Sequence, residues 1–337
     1  MKNLIDKNFF ITGGSGFIGS NFILKLFKKN INAKVLNFDK LSDQSDHEFI
    51  IESENYKFFK GDLCNEEEIH NALIDFQPDF IIHFAAESHV DRSITNPHAF
   101  IFSNTLGSFN LFNTVKKLQD INTLKNIRII NISTDEVYGS LSDDDIPFST
   151  ETQFNPSSAY SASKSSADSF ANAFIKTYGQ KIQTTHCSNN YGPRQFPEKL
   201  IPLTIYNFLN DLPVKIYGDG KNIRDWIHVD DHNEAILAIL NSDYKSKRYN
   251  IGSSNENRNI EIIDKIQSSM FNDFSIKKKY KRKFVDDRKG HDYRYAINYH
   301  LTSEEIGWSP NLSFDDEIKH TIEWYLENTQ WFDRINK

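Results

Sequence analysis

Short apolar runs rich in phenylalanine and isoleucine recur through the first half of the chain, each bounded by polar or glycine-containing segments. Asn8-Phe9-Phe10-Ile11-Thr12, Lys34-Val35-Leu36-Asn37-Phe38, Lys57-Phe58-Phe59, Phe80-Ile81-Ile82-His83-Phe84 and Ile127-Arg128-Ile129-Ile130-Asn131-Ile132 have the length and side-chain content of buried strands. Between them the spacing changes. Phe17, Ile18, Phe22, Ile23, Leu26 and Phe27 fall on one face at a period near 3.6, which predicts a helix directly after the first strand. Helical spacing returns over residues 66–76, 98–118 and 158–178. Strands that alternate with helices predict an α/β fold built on a doubly wound parallel sheet, the Rossmann arrangement. From Ser188 onward the alternation becomes irregular, with glycine, proline and aromatic residues marking loops. The expected division is a Rossmann domain over 1–188, to which 224–240 returns, and a smaller, irregular lobe over 189–337.

The first strand runs into Gly13-Gly14-Ser15-Gly16-Phe17-Ile18-Gly19, whose glycines at 13, 16 and 19 form G-x-x-G-x-x-G. Such a turn lets the backbone approach a pyrophosphate, whose charge then sits at the N-terminus of the next helix. A glycine-rich turn alone is often only a loop. Here the second strand ends in Asp39, twenty residues after Gly19, where a ribose-binding carboxylate is expected. Strand, turn, helix, strand and acid in this order point to a dinucleotide. Asp39 favours NAD over NADP, because it accepts from the ribose hydroxyls and repels a 2′-phosphate; Lys40 beside it works against that repulsion. Ala85 and Ala86, small residues after the fourth strand, leave room for a cofactor or equally for tight helix–strand packing.

Ser133-Thr134-Asp135-Glu136-Val137-Tyr138 follows the fifth strand, and Tyr160-Ser161-Ala162-Ser163-Lys164 follows at a short distance. Tyr160 and Lys164 are four residues apart and share one face of a helix, so the ammonium favours the phenolate over the phenol, whose free pKa is about 10. Most such pairs are plain helix-surface neighbours, and Ser/Thr followed by acids is also a helix-capping pattern. The β-branched run before Ser133 argues instead that a buried strand delivers Asp135 and Glu136 at its carboxyl end, where open α/β sheets bind ligands. A redox base and a separate acid/base pair would then meet in one pocket.

Composition narrows the classes. With 337 residues and a net charge of −7, the chain has room for two domains and lacks the basic balance of a nucleic-acid surface. The basic stretch Lys277-Lys278-Lys279-Tyr280-Lys281-Arg282-Lys283 reads as a solvated face. Cys64 and Cys187 lack metal or redox spacing and suit a reducing cytoplasm; no metal is expected. No apolar run approaches a transmembrane span, and no membrane partner is expected. Arg224, Arg288 and His291 in the loop-rich lobe have the chemistry to clamp a diphosphate, although surface ion pairing is the commoner fate of an arginine.

The glycine turn, His83-Phe84-Ala85-Ala86-Glu87-Ser88-His89-Val90-Asp91-Arg92-Ser93, Ser133–Gly139 and Tyr160–Lys164 together resemble the extended short-chain dehydrogenase/reductases. Ser188-Asn189-Asn190-Tyr191-Gly192-Pro193, Pro197–Pro202, Tyr217-Gly218-Asp219-Gly220, Arg224-Asp225-Trp226 and Gly290-His291-Asp292 narrow the resemblance to the dTDP-glucose 4,6-dehydratase family. The resemblance implies that Gly13, Gly16, Phe17, Ile18, Gly19, Asp39, Asp62, Leu63, Ala85, Ser103, Tyr160, Lys164 and Asn190 meet NAD. It implies that Ser88, Thr134, Asn189, Glu198, Lys199, Arg224, Asn259, Arg288 and His291 hold a nucleotide sugar, and that the protein is a homodimer. By the same resemblance Tyr160 with Lys164 drives oxidation at C4, Glu136 takes the C5 proton, Asp135 expels the C6 hydroxyl as water, and Thr134 bonds the C4 oxygen. Two departures stand out: Lys40-Leu41-Ser42-Asp43-Gln44-Ser45 replaces the family's Thr-Tyr-Ala-Gly segment, and Lys289 stands where a proline is usual. A dehydratase for UDP-glucose or GDP-mannose, a C4 epimerase and a non-catalytic dinucleotide sensor are the competing readings.

Overall fold

The computed structural model describes residues 2–29, 31–42, 45–50, 52–278 and 281–336. In chain order the strands and helices of the first part are β1 (Asn8–Thr12), α1 (Phe17–Lys28), β2 (Lys34–Asp39), β3 (Tyr56–Lys60), α2 (Glu66–Phe76), β4 (Phe80–His83), α3 (Val90–Thr95), α4 (Pro97–Phe100), α5 (Gly107–Asp120), β5 (Arg128–Thr134), α6 (Ala159–Tyr178) and β6 (Lys181–Cys187). They are followed by β7 (Asn189–Tyr191), α7 (Leu200–Leu209), β8 (Val214–Tyr217), β9 (Ile223–His228), α8 (Val229–Asn241), β10 (Arg248–Ile251), β11 (Glu256–Arg258), α9 (Asn259–Asn272), β12 (Arg282–Val285), α10 (His300–Ile306) and α11 (Phe314–Glu327). Seven parallel strands form one sheet in the order β10-β6-β5-β4-β1-β2-β3. The strand order reverses between β1 and β4. At such a switch point the two outgoing loops part and leave a crevice at the carboxyl ends of the strands.

Apolar side chains cover both faces. Phe22, Ile23 and Leu26 of α1 pack with Ile236 and Leu240 of α8 on one side, and Leu73, Leu111, Val115, Ala171 and Phe174 from α2, α5 and α6 fill the other. The helix ends follow local chemistry. Asn65 accepts from the amides of Glu67 and Glu68 ahead of α2, and Ser158 and Ser161 form a reciprocal capping box that starts α6. The helical pattern over 98–118 is not one α-helix: a six-residue π-helical stretch, Ile101–Leu106, separates α4 from α5. A wide turn places an extra residue per turn, and here it faces the crevice with Ser103.

The segment 224–240 divides between the two parts. α8 does pack beside α1 on the large sheet, but β9 pairs with β7 and β11 in a separate three-stranded sheet. The strand that does extend the large sheet is β10, which lies beside β6. The second lobe has its own core, with Ile201, Ile205, Ile262, Ile266, Phe314, Ile318 and Ile322. Of the basic stretch, Arg282 and Lys283 lie on exposed β12, whereas Lys279 and Tyr280 fall outside the described residues.

Candidate active site

A cavity of about 290 Å³ opens at the carboxyl ends of β1, β2, β4 and β5. Its floor is the glycine turn, with Gly13, Gly16, Phe17, Ile18 and Gly19 along it, and Asp39, Asp62, Leu63, Ala85 and Ser103 beside it. The turn tests whether a dinucleotide fits. A Cβ on Gly13 would meet the Ala85 nitrogen at 2.5 Å, and one on Gly19 the Gly13 oxygen at 2.4 Å, so these two glycines serve close packing. A Cβ on Gly16 meets only the Gly13 oxygen, at 3.3 Å, and otherwise points into open cavity. The space above Gly16 is the cradle a pyrophosphate requires. Ala85 serves both proposed ends, packing against Gly13 and lining the cavity.

Asp39 is buried, with its two oxygens taking the amides of Leu41 (2.8 Å) and Ser15 (3.1 Å). Burial raises its pKa against those bonds. Lys40 does not neutralise it at close range; its ammonium reaches Glu87 at 2.9 Å and Ser103 at 3.4 Å instead. Below the floor, neutral His83, held down to about 3 by burial, bridges the hydroxyls of Thr12 (2.7 Å) and Ser108 (2.8 Å). Thr12 in turn accepts from the Ala85 amide at 3.3 Å, which fixes the loop after β4.

The chemistry-bearing residues meet at the other end of the cavity. β5 ends at Thr134, and one 3₁₀ turn, Asp135–Tyr138, follows directly. Both sequence readings of this stretch therefore hold: the strand delivers the acids, and Thr134 Oγ1 caps the turn by accepting from the Glu136 amide at 3.3 Å. Tyr160 and Lys164 face the same cavity from the first turns of α6. The Lys164 ammonium donates to the Ile132 carbonyl at 2.7 Å, and burial lowers its pKa. Burial, followed by the charge on Glu136, pushes the Tyr160 phenol well above its ordinary value, with the Thr134 hydroxyl pulling the other way. A buried phenol beside carboxylates needs more positive charge than one lysine bonded elsewhere provides.

Asp135 and Glu136 differ in surroundings. Asp135 is 1 % exposed, one of its oxygens has no hydrogen-bond partner, and burial together with Glu136 and Asp225 lifts its pKa well above the ordinary value. Burial raises Glu136 too, but Arg288, Arg224 and Lys199 all favour its carboxylate. Both carboxyls are thus raised, Asp135 the further, because the cations that oppose burial at Glu136 are weaker opponents at Asp135. Cys187, also in the wall, is a thiol pushed up to about 12 by burial and is inert as a nucleophile.

Of the expected substrate residues, Ser88, Asn189 and Lys199 line the cavity with Thr134, as does the cofactor candidate Asn190, whose side-chain oxygen meets His232 Nδ1 at 2.9 Å. Lys199 donates to the Ser88 carbonyl at 2.9 Å. Glu198, Arg224, Asn259, Arg288 and His291 stand outside its wall. Arg224 forks onto the carbonyls of Ile223, Asp292 and Tyr293 and lies 4.2 Å over the Tyr295 ring. Glu198 pairs with Arg92 at 2.9 Å, His291 with Asp287 at 2.6 Å, and Arg288 with Asp91 at 3.5 Å. Asn259 opens α9, its amide bonded to the Asn222 carbonyl. Sequence reasoning missed Glu87, which lines the cavity and lay in a quoted motif.

The fold and the site together define a dinucleotide-dependent enzyme of the short-chain dehydrogenase/reductase type that carries an added acid–base pair. Residues 10–321 match the family described as GDP-mannose 4,6 dehydratase. The chain is 43 % identical to a probable dTDP-glucose 4,6-dehydratase of Sinorhizobium fredii, over 96 % of this chain and 93 % of that one. It is 43 % identical to the dTDP-glucose 4,6-dehydratase of Salmonella typhimurium, over 96 % and 94 %. The crystal structure of the Bacillus anthracis dTDP-glucose 4,6-dehydratase in complex with NAD superposes with a TM-score of 0.85 at 39 % identity, covering 96 % of this chain and 98 % of that one. The chain belongs to the dTDP-glucose 4,6-dehydratase family.

Proposed function

We propose that this protein is an NAD-dependent 4,6-dehydratase that converts dTDP-glucose to dTDP-4-keto-6-deoxyglucose and water, a step toward deoxysugars. The observation that carries the reading is that Asp135 and Glu136, in unlike surroundings, share one cavity with Tyr160 and Lys164. An epimerase needs only the redox pair; elimination of water needs an acid and a base of different protonation state at one pH. NAD, when bound, would supply a hydride acceptor that returns what it takes, and a positively charged ring. Gly13, Gly16 and Asp39 would hold it, and Asp39 would select the unphosphorylated ribose. Tyr160 removes the proton of the sugar 4-hydroxyl, and Thr134, its hydrogen-bond partner, steadies the oxygen as its charge changes. Lys164 holds positive charge behind the phenol from its bond to the Ile132 carbonyl. Glu136, supported by Arg288, Arg224 and Lys199, then takes the C5 proton made acidic by the 4-ketone. Asp135 gives its proton to the C6 hydroxyl, which leaves as water. A proton returns to C5 to complete the product.

The test follows one hydrogen. Deuterium placed at C4 of dTDP-glucose should appear at C6 of the product within the same molecule, because the sugar stays bound while water leaves. Return of the label to C4 would point to an epimerase, and its loss to solution to a simple dehydrogenase. Parallel turnover of dTDP-glucose, UDP-glucose and GDP-mannose decides the nucleotide and sugar.

A homodimer is the proposed assembly. Ile94, Ile101, Phe102, Leu106 and Phe170 are exposed on α3, the π-helical stretch and α6, an apolar stripe suited to a second copy. The free thiols of Cys64 and Cys187 fit a reducing cytoplasm. Among the described residues, no helix is long and apolar enough to cross a membrane, and no cluster of potential metal ligands occurs.

A further inference from the structure

After β2 the chain departs from the family's usual run; Asp43 and Gln44 of that run lie outside the described residues, and beyond them Ser45 and Asp46 meet an ion-pair knot that the chemistry above does not use. Ser42 and Ser45 line the cavity beside Asp39, and the Ser45 hydroxyl reaches an Asp39 oxygen at 3.4 Å. One residue on, the Asp46 amide donates to the Ser15 carbonyl at 2.8 Å, so the segment folds back onto the glycine turn. The Asp46 carboxylate then meets two arginines from distant parts of the chain: Arg194 at 2.9 Å and Arg334 at 3.5 Å. All three side chains are between 16 % and 22 % exposed, so water screens them only in part. Arg334 also donates to the Ser45 carbonyl at 3.4 Å.

Aromatic faces complete the knot. The Arg334 guanidinium lies 3.9 Å over the Trp331 ring, and Arg194 stands 5.5 Å from the same ring and 5.3 Å from Phe49. Trp331 is anchored by its indole N–H on the Gln195 carbonyl at 3.1 Å. Arg194 holds a left-handed backbone, φ 69°, a conformation that a non-glycine residue keeps only where its surroundings enforce it. The residues after it, Gln195 and Phe196, line the cavity. The knot therefore joins one wall of the cavity, its adenosine-side rim and the C-terminal segment.

We propose that Asp46, Arg194 and Arg334 form a clasp that holds Ser45 beside Asp39 at the ribose end of the NAD site and slows cofactor release. They act as positioning residues, through Ser45, Ser15 and Asp39, not by touching the reacting atoms. The inference rests on the NAD-dependent reading above. A cofactor that returns its hydride within each cycle is best kept from one turnover to the next, and the clasp supplies a physical means.

The test is exchange of bound NAD for isotopically labelled NAD in wild type, Asp46→Asn and Arg334→Ala, followed by mass spectrometry of the bound cofactor at low and high salt. Both variants should exchange about tenfold faster. Salt should speed exchange in wild type and leave Asp46→Asn little changed, because that variant lacks both ion pairs, with Arg334→Ala between them because it keeps the Asp46–Arg194 pair. Turnover of the variants should fall on dilution and return on addition of NAD, a change in KM for NAD against kcat. Folded variants that exchange at the wild-type rate, whatever their thermal midpoints, would reduce the knot to a fold staple and overturn the clasp. Wild type that binds no NAD at all would overturn the cofactor reading and the clasp with it.

Discussion

Asp135 and Glu136 are neighbours in sequence, and what separates them chemically is which groups approach from elsewhere in the chain. Asp225 adds negative charge near Asp135, while Arg288, Arg224 and Lys199 favour the Glu136 carboxylate. The rate should rise with pH as Glu136 ionises, over a limb displaced above its ordinary 4.5, and fall at higher pH as Asp135 loses its proton. Glu136→Gln should suppress solvent exchange at C5 and dehydration roughly 10²–10⁴-fold while the 4-ketone still forms; Tyr160→Phe should abolish both. Asp135→Asn should lose dehydration by a similar factor yet gain stability. The folded chain binds the Asp135 proton more tightly than the unfolded chain does, so its stability falls as pH rises from the ordinary value near 3.8 through the raised folded value. The thermal midpoint of Asp135→Asn should therefore exceed that of wild type by a margin that widens with pH. A constant or reversed margin would show that the carboxyl is not held protonated.

At the scale of elements, the strands and helices that carry the site were legible because their cores repeat at two clean periods. β1, α1, β2 and α2 fall close to where alternation and helical spacing put them. The glycine turn was legible as a motif but not in its division of labour. Gly19→Val drives a side chain into the Gly13 carbonyl and should destabilise the fold, whereas Gly16→Val meets open cavity and should fold while losing NAD. Thermal melting and bound-cofactor content of the two variants separate these outcomes; a Gly16→Val protein that retains NAD would contradict the cradle. The π-helical break at Ile101–Leu106 escaped notice because its apolar spacing still looks helical over so short a stretch.

The whole molecule exposes its apolar stripe along α3, the π-helical stretch and α6. Phe102→Glu puts a charge into that stripe and should shift the protein from dimer to monomer in sedimentation experiments, with the monomer still binding NAD; an unchanged mass would move the interface elsewhere. The chain by itself determined the parallel sheet, the dinucleotide turn and the chemical identity of Tyr160, Lys164, Asp135 and Glu136, because periodicity and short motifs are properties of neighbouring residues. Tertiary structure alone decided the rest. It sent β9 into a separate sheet and β10 to the edge of the large one, turned Arg224 onto backbone carbonyls, and bonded Lys164 to Ile132. It also set apart the two carboxyls and gathered Asp46, Arg194 and Arg334 into one knot. Each of these depends on charges and surfaces brought together from far along the chain, where burial and Coulomb interactions act through space and leave no local pattern to read.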